Sequence, residues 1–122
     1  MELYAITDGG QNMKLFLDDT RVPADVGFIN EEWTIVRDYE TFCVIIDAFS
    51  PEEISFDHDL HDFDKSGKER TGKTCAEYLV LSDSKWNVIP KDFIFHVHSM
   101  NPVGKKNIEE YIKGYIKHKF GT

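Results

Sequence analysis

Short apolar segments alternate with helical patterns along most of this chain, and this alternation is the feature that most constrains its fold. Four segments have the composition of buried β-strands, and these are Lys14 to Asp18, Trp33 to Arg37, Glu53 to Asp57 and Asp92 to His98. A strand followed by a helix, repeated along the chain, predicts a parallel sheet with right-handed crossover connections. We therefore expect an α/β fold.

Three helical patterns separate or follow these strands, with apolar residues spaced three and four positions apart. The first begins after Asp38, which is a suitable N-cap, and ends before Ser50-Pro51. The second runs from Thr74 to Ser82. The third begins at about Pro102 and continues through Phe120. Together these elements predict four core parallel strands with helices between and after them.

One domain, residues 13–122, is expected from the length and composition. The chain has 122 residues, of which 41% are hydrophobic, and this is enough for one core. Residues 1–12 could add a strand, but Asp8-Gly9-Gly10 is a turn signal, so this N-terminal extension remains unassigned. The polar segment from His61 to Arg70 is expected to be a loop.

The charge balance excludes some classes of partner. A formal net charge of −8 argues against binding to a DNA duplex or an anionic membrane, since both depend on clustered Lys and Arg. The N-terminus shows no secretory signal pattern, and no apolar stretch is long enough to cross a membrane. We expect a soluble cytoplasmic protein. The two cysteines, Cys43 and Cys75, lie on apolar helical faces, which indicates buried free thiols.

Acidic residues follow two of the predicted strands. Asp18 and Asp19 follow the first strand, and Asp57 and Asp59 follow the third. Because the carboxyl ends of parallel strands line one crevice, these carboxylates should converge, and they repel one another unless a cation neutralises them. Carboxylate oxygens suit Mg²⁺ or Mn²⁺, so the four residues are candidate metal ligands. The plainer interpretation is that each Asp ends a strand or caps a turn.

His98 and His58 are the two candidates for proton transfer. His96 and His98 lie on the same face of the fourth strand, and His98 is next to Ser99 at the carboxyl end, whereas His96 is better explained as a structural residue. His58 lies between two carboxylates and is the rival candidate. Either His58 or His98 could be the acid or the base in phosphoester hydrolysis, and a dinuclear metal site with histidine ligands is a lesser possibility.

Positive charge and helix geometry indicate where an anion could bind. Arg21 and Arg37 end or follow strands, and a guanidinium can hold two phosphate oxygens at once. Asn101 precedes the last helix, whose N-terminal amides offer a further anion site or simply a capped end. The lysines and arginine of the His61 to Arg70 segment fit a solvated surface equally well.

Three motifs resemble those of the cyclic-phosphate-processing receiver-like domains, an offshoot of the response-regulator receiver superfamily. They are Leu15-Phe-Leu-Asp-Asp-Thr-Arg-Val-Pro23, Ile54-Ser-Phe-Asp-His-Asp-Leu60 and Val97-His-Ser-Met-Asn-Pro-Val-Gly104. The resemblance implies that Asp18 and Asp19 hold Mg²⁺, that Asp57 takes the position of the receiver phosphoacceptor, and that Ser99 contacts a phosphoryl group. The resemblance also implies a receiver-like (flavodoxin-like) fold, which is a three-layer α/β sandwich reduced here to four core parallel strands in the order 2-1-3-4. Receivers also have a fifth strand that ends in a Lys, which this chain lacks, so phosphorelay signalling is not expected.

The resemblance implies a divalent-metal-dependent hydrolase or processing domain for a cyclic phosphate on a nucleotide or an RNA end. In this interpretation the catalytic residues are His58, His98 and Asp57, and the phosphate is held by a set of four residues. That set is Arg21, Ser99, Arg37 and Asn101. The alternative is a non-catalytic module that sequesters a cyclic nucleotide or binds a protein partner.

Overall fold

The computed structural model describes residues 13–121, which form an α/β fold around a four-stranded parallel sheet. The strands and helices follow one another as β1 (Lys14–Leu17), β2 (Thr34–Val36), α1 (Tyr39–Ala48), β3 (Glu53–Phe56), β4 (Asp62–Phe63), β5 (Glu69–Arg70), α2 (Gly72–Trp86), β6 (Ile94–Val97) and α3 (Pro102–Phe120). A short 3-10 helix, Pro23–Val26, lies between β1 and β2. The predicted N-terminal extension, residues 1–12, lies outside the described residues.

The sheet has the strand order β2-β1-β3-β6, in which β6 is the fourth core strand. This confirms the predicted order and the receiver-like fold. Leu17 is paired with Val36 on one side and Phe56 on the other, and Phe56 is paired with Val97. The last residues of all four strands are therefore level, so the residue that follows each strand emerges at the same edge of the sheet.

All three helices pack on one face of this sheet. Alternate strand residues, such as Leu15 and Leu17 of β1, face the helices because side chains alternate along a strand. The buried residues of this core that come from the helices are Phe42, Ile45, Ile46, Cys75, Ala76, Leu79, Ile108 and Ile112. Cys75 is buried and Cys43 is half-buried, and both are free thiols as expected.

The opposite face of the sheet is covered by the connection between β1 and β2. Phe16 points to this side, where its ring lies 6.1 Å from that of Trp33 and 4.4 Å from that of His98. Phe28 packs at 4.8 Å against Trp33 and at 5.0 Å against His96. The third layer of the sandwich is therefore an aromatic cluster to which the connecting segment contributes Phe28 and Trp33, and both of these rings pack against His96 of β6.

Two elements differ from the sequence prediction. The polar segment from His61 to Arg70 contains the antiparallel pair β4 and β5, joined by a turn in which Asp64 Oδ1 accepts hydrogen bonds from Ser66 and Lys68 amides. Helix α2 extends beyond the predicted Thr74 to Ser82 at both ends. Its first turn is capped by Thr71, and Asn87 ends it in the left-handed conformation, so capping chemistry rather than apolar spacing sets its limits.

A membrane-spanning helix is not found within residues 13–121, because none of the helices there combines sufficient length with sufficient apolar character.

A buried ion pair joins the end of α2 to the end of α3. The side chain of Asp83 is 1% exposed, and its Oδ1 lies 2.7 Å from Lys119 Nζ. Tyr115 donates to the other oxygen at 2.6 Å, and the Ile89 amide donates at 2.7 Å. Burial would raise the pKa of Asp83, but the hydrogen bonds from Lys119 and Tyr115 outweigh it and lower that pKa.

We expect Asp83→Asn to lower the free energy of unfolding by about 3 kcal/mol, because it leaves the Lys119 ammonium without its anionic partner. Because the folded-state pKa of Asp83 is lowered, its contribution to stability is present above the unfolded pKa and is lost as pH falls through the folded value. Urea unfolding of both proteins at neutral and acidic pH measures both effects.

Glu110→Gln is the matched control, since Glu110 is exposed and its oxygen lies 3.9 Å from Lys106. An exposed pair of this kind contributes less than about 1 kcal/mol. Equal losses in the two variants would contradict a structural role for Asp83.

Candidate functional site

Three side chains that follow different strands meet at the carboxyl edge of the sheet. Asp18 follows β1, Asp57 follows β3 and His98 follows β6. Each offers one ligand atom, and these atoms all lie within 4.8 Å of one another. Both aspartates are buried. The level strand ends of the parallel sheet thus assemble a cluster from residues that are up to 80 positions apart in sequence.

Both carboxylate oxygens of Asp18 have hydrogen-bond partners. Its Oδ1 accepts hydrogen bonds from the amides of Thr20 and Arg21, both at 2.9 Å. Its Oδ2 accepts from Arg21 Nε at 2.8 Å and lies 3.0 Å from His98 Nε2. Burial would raise the pKa of Asp18, but the two amides together with His98 and Arg21 lower it. Asp18 is therefore a carboxylate at neutral pH.

Arg21 lies between the two buried carboxylates. Its Nε is 2.8 Å from Asp18, and its Nη2 is 3.4 Å from Asp57 Oδ1 and 3.4 Å from the His98 carbonyl oxygen. The guanidinium therefore supplies positive charge to the acidic cluster. The two longer contacts of Nη2 are weak hydrogen bonds, so this end of the side chain is held less firmly than Nε.

Arg37 does not contact the carboxylates. Its Nη1 donates to the carbonyl oxygens of Asp18, at 3.1 Å, and Arg21, at 2.7 Å. Arg37 therefore holds the backbone of the segment that presents Asp18 and Arg21 to the site.

The negative charge of the Asp57 carboxylate is compensated less completely than that of Asp18. The His58 amide donates to Oδ1 at 2.9 Å, and no hydrogen bond reaches Oδ2 from residues 13–121. Burial, followed by the negative charge of Asp18, raises the pKa of Asp57 to about 6 in spite of Arg21. A further positive charge at this carboxylate would thus be favourable.

His98 is enclosed by its neighbours. Its side chain is only 5% exposed, and its ring is stacked on Phe16 with an interplanar angle of 4°. Nδ1 lies 2.7 Å from Ser55 Oγ and Nε2 lies 3.0 Å from Asp18. Burial lowers the pKa of His98 more than Asp18 raises it, which favours the neutral imidazole. His96, for which a structural role was predicted, instead pairs with Glu53 at 2.7 Å and is half-buried.

His58 lies at the rim of the site in contact with the first turn of α3. Its Nδ1 is 2.7 Å from Asp59 Oδ1, and this hydrogen bond lowers the pKa of Asp59. A Cβ added to Gly104 would overlap the imidazole ring, so the ring occupies the space that a glycine leaves. Asn101 donates to Asp59 at 3.4 Å and caps α3 by accepting from the Gly104 amide. Nε2 of His58 makes no hydrogen bond to the described part of the chain.

Asp19 and Asp59, which were predicted as metal ligands, lie outside the cluster of three. Each is bonded to a histidine, since Asp19 Oδ2 lies 2.7 Å from His61 Nδ1 in the same way that Asp59 pairs with His58. The remaining predicted phosphate ligand, Ser99, accepts a hydrogen bond from the Asn101 amide at 3.0 Å.

Sequence reasoning missed Ser55 and His61. His61 is exposed and adopts a left-handed backbone with φ 52, and the hydrogen bond to Asp19 raises its pKa. The one signal for His61 was its place three residues after His58 in an acidic segment. The sequence contains no such signal for Ser55, because the contact of a strand Ser with His98 can be recognised only when the neighbouring strand is known.

A comparison with protein families matches residues 13–114 to the cyclic-phosphate processing Receiver domain. The chain belongs to this family. The match spans β1 through most of α3 and so includes every residue of the site described above. No curated protein and no solved structure matches the chain.

In this cyclic-phosphate processing Receiver domain, Arg21 should control the ionisation of Asp57. We expect Arg21→Met to raise the pKa of Asp57 by about one unit or more, since a nearby guanidinium lowers the pKa of a carboxyl by that amount. Carbon-13 NMR titration of the Asp57 carboxyl measures this pKa. Lys65→Met removes the same charge from the exposed β4–β5 turn and should leave that pKa unchanged. Equal shifts in both variants would refute the local contact.

The two glycines of α3 that differ in their surroundings allow a test of the His58 position. Gly104→Ala should displace the imidazole, raise the pKa of Asp59 and destabilise the domain by about 1–3 kcal/mol through overpacking. Gly114→Ala meets open space and should stabilise the same helix by about 0.5–1 kcal/mol. Thermal unfolding and NMR of Asp59 measure these effects. Stabilisation by both substitutions would contradict the close packing at Gly104.

Proposed function

We propose that this domain hydrolyses a cyclic phosphate on a nucleotide or an RNA end with the assistance of Mn²⁺ or Mg²⁺. The observation that supports it most is the convergence of Asp18, Asp57, His98 and Arg21 at one edge of the sheet. Carboxylates and an imidazole are suited to a cation, and the guanidinium is suited to an anion. Family membership supports the same substrate class.

The donor set fits a divalent metal. Asp57 retains an oxygen without a hydrogen bond from residues 13–121, and its raised pKa reflects incomplete compensation of its charge. The ligands would be Asp18, Asp57 and His98. When bound, such an ion polarises a phosphoryl oxygen and stabilises the charge that develops there. Mg²⁺ is a hard cation that takes oxygen ligands, whereas imidazole is a ligand for transition metals, so of these two ions the set favours Mn²⁺.

The phosphate is oriented in this proposal by Arg21 and by groups at the start of α3. The weakly held Nη2 of Arg21 can exchange its two 3.4 Å contacts for a phosphate oxygen at small cost. The Ser99 hydroxyl and the Asn101 side chain lie next to the His98 segment and offer further donors. Arg37 acts indirectly, by holding the backbone carbonyls of Asp18 and Arg21.

Of the two candidate histidines, we assign proton transfer to His58. Both ring nitrogens of His98 already have partners and its side chain is 5% exposed, whereas Nε2 of His58 has no partner among the described residues. In ring opening, water attacks the phosphorus, the bond to one ribose oxygen breaks, and that oxygen receives a proton. His58, oriented by Asp59, gives this proton, and the proton that the attacking water releases returns to the His58 imidazole.

The alternative is a module that sequesters a cyclic nucleotide without turnover. One observation favours it, because Arg21 already compensates part of the negative charge of the two aspartates. A phosphate could therefore be bound by Arg21 and the start of α3 with no metal and no reaction.

We expect Mn²⁺ to raise the melting temperature of the protein, and to do so at a lower concentration than Mg²⁺, because a ligand that binds only the folded state stabilises it. Differential scanning calorimetry across a metal titration measures this shift. Asp57→Asn should abolish it, while Asp64→Asn, in the exposed β4–β5 turn, should not. If millimolar Mn²⁺ produces no shift, the metal is removed from the mechanism.

Turnover is tested with 2′,3′-cyclic nucleotides, 3′,5′-cyclic nucleotides and RNA ending in a cyclic phosphate. We expect ring-opened product, and we expect His58→Ala to reduce its rate by about 10²–10⁴-fold. His118→Ala is the control, since His118 is exposed near the far end of α3. Binding with every ligand recovered unchanged would select the sequestering module and reject the hydrolase.

A further inference from the structure

A chain of three hydrogen-bonded side chains runs through the interior beneath the site. Ser55 Oγ lies 2.7 Å from His98 Nδ1, and His98 Nε2 lies 3.0 Å from Asp18 Oδ2. Ser55 is fully buried in the middle of β3, and Phe16 covers one face of the imidazole. Nδ1 therefore depends on a protein partner, since the Ser55 side chain that it contacts is fully buried.

The chemistry of the two partners fixes the protons on a neutral imidazole. A carboxylate only accepts hydrogen bonds, so Nε2 must carry the proton that faces Asp18. Nδ1 then has a lone pair and must accept the hydroxyl proton of Ser55. A hydroxyl, unlike a carboxylate or an amide N–H, can also rotate and accept, so the Ser55 side chain is compatible with the opposite arrangement.

That second arrangement is the one a metal ligand requires. If His98 offers its Nε2 lone pair to a cation, its proton must sit on Nδ1, in a place where the described residues provide one acceptor, Ser55 Oγ. A buried N–H without an acceptor is costly, and partners that orient a ligating histidine affect metal affinity strongly.

We propose that Ser55 is a positioning residue for His98, whose hydroxyl donates to Nδ1 when Nε2 faces Asp18 and accepts from Nδ1 when Nε2 serves as a metal ligand. The second half of this inference rests on the proposed metal site. The first half concerns the metal-free protein and does not. Ser55 acts through His98 and touches neither substrate nor metal.

Two variants distinguish the effect of the Ser55 hydroxyl from the effect of side-chain size. Ser55→Ala removes the hydroxyl, and Ser55→Thr keeps it on a side chain suited to a β-strand. Long-range ¹H–¹⁵N NMR of the metal-free protein identifies which ring nitrogen of His98 carries the proton. We expect the Nε2–H form in the wild type, and in Ser55→Ala a His98 Nδ1 resonance moved to that of an unbonded nitrogen, with the His96 resonances unchanged.

Isothermal titration with Mn²⁺ supplies the second readout. Ser55→Ala should weaken binding by about 10- to 100-fold, and Ser55→Thr should restore most of it. Equal Mn²⁺ affinity in Ser55→Ala and wild type overturns the role in metal binding. An Nδ1–H proton on His98 in the metal-free wild type overturns the assigned orientation. If wild type binds no Mn²⁺, the proposed metal site and the second half of the inference fail, and the NMR result decides the first half on its own.

Discussion

Four hydrogen bonds converge on the buried carboxylate of Asp18, and the arrangement of the site depends on them. Two amides turn the chain after β1, the Arg21 guanidinium folds back over the strand end, and His98 approaches from β6. One side chain therefore fixes the path of its own segment and the position of a strand two places away in the sheet. Loss of this anion would leave several partly buried donors without partners, which is costlier than the loss of a single contact.

Charge compensation within the site differs from the simplest expectation for converging carboxylates. The repulsion between Asp18 and Asp57 is real, since it contributes to the raised pKa of Asp57. Part of the compensating charge comes from Arg21, a residue three positions after Asp18. A guanidinium reaches carboxylate oxygens and phosphate oxygens with the same donors, so charge balance and ligand orientation can be served by one side chain.

The sequence was sufficient for the four core strands and for the positions of Asp18, Asp57 and His98 at strand ends, because hydrophobic periodicity is a local property. The strand order followed instead from the resemblance to receiver domains. The sequence was insufficient for contacts that depend on the three-dimensional paths of the loops. The pairing of Asp19 with His61, and of Asp59 with His58, depends on loop paths that no spacing rule encodes. Arg37 was a reasonable phosphate ligand by charge, and only the structure shows its guanidinium bonded to backbone carbonyls.

Helix α3 is held at both ends by different kinds of contact. Its first turn packs on the His58 ring through Gly104, and its last turn carries Lys119, which is tied to Asp83. At 19 residues the helix is roughly 28 Å long. A rod fixed at two distant points cannot tilt without disturbing one of them, so the pair of Lys119 with Asp83 at one end helps to keep the first turn of α3 against the His58 ring at the other. The rigidity of the site therefore depends in part on contacts at the opposite end of α3.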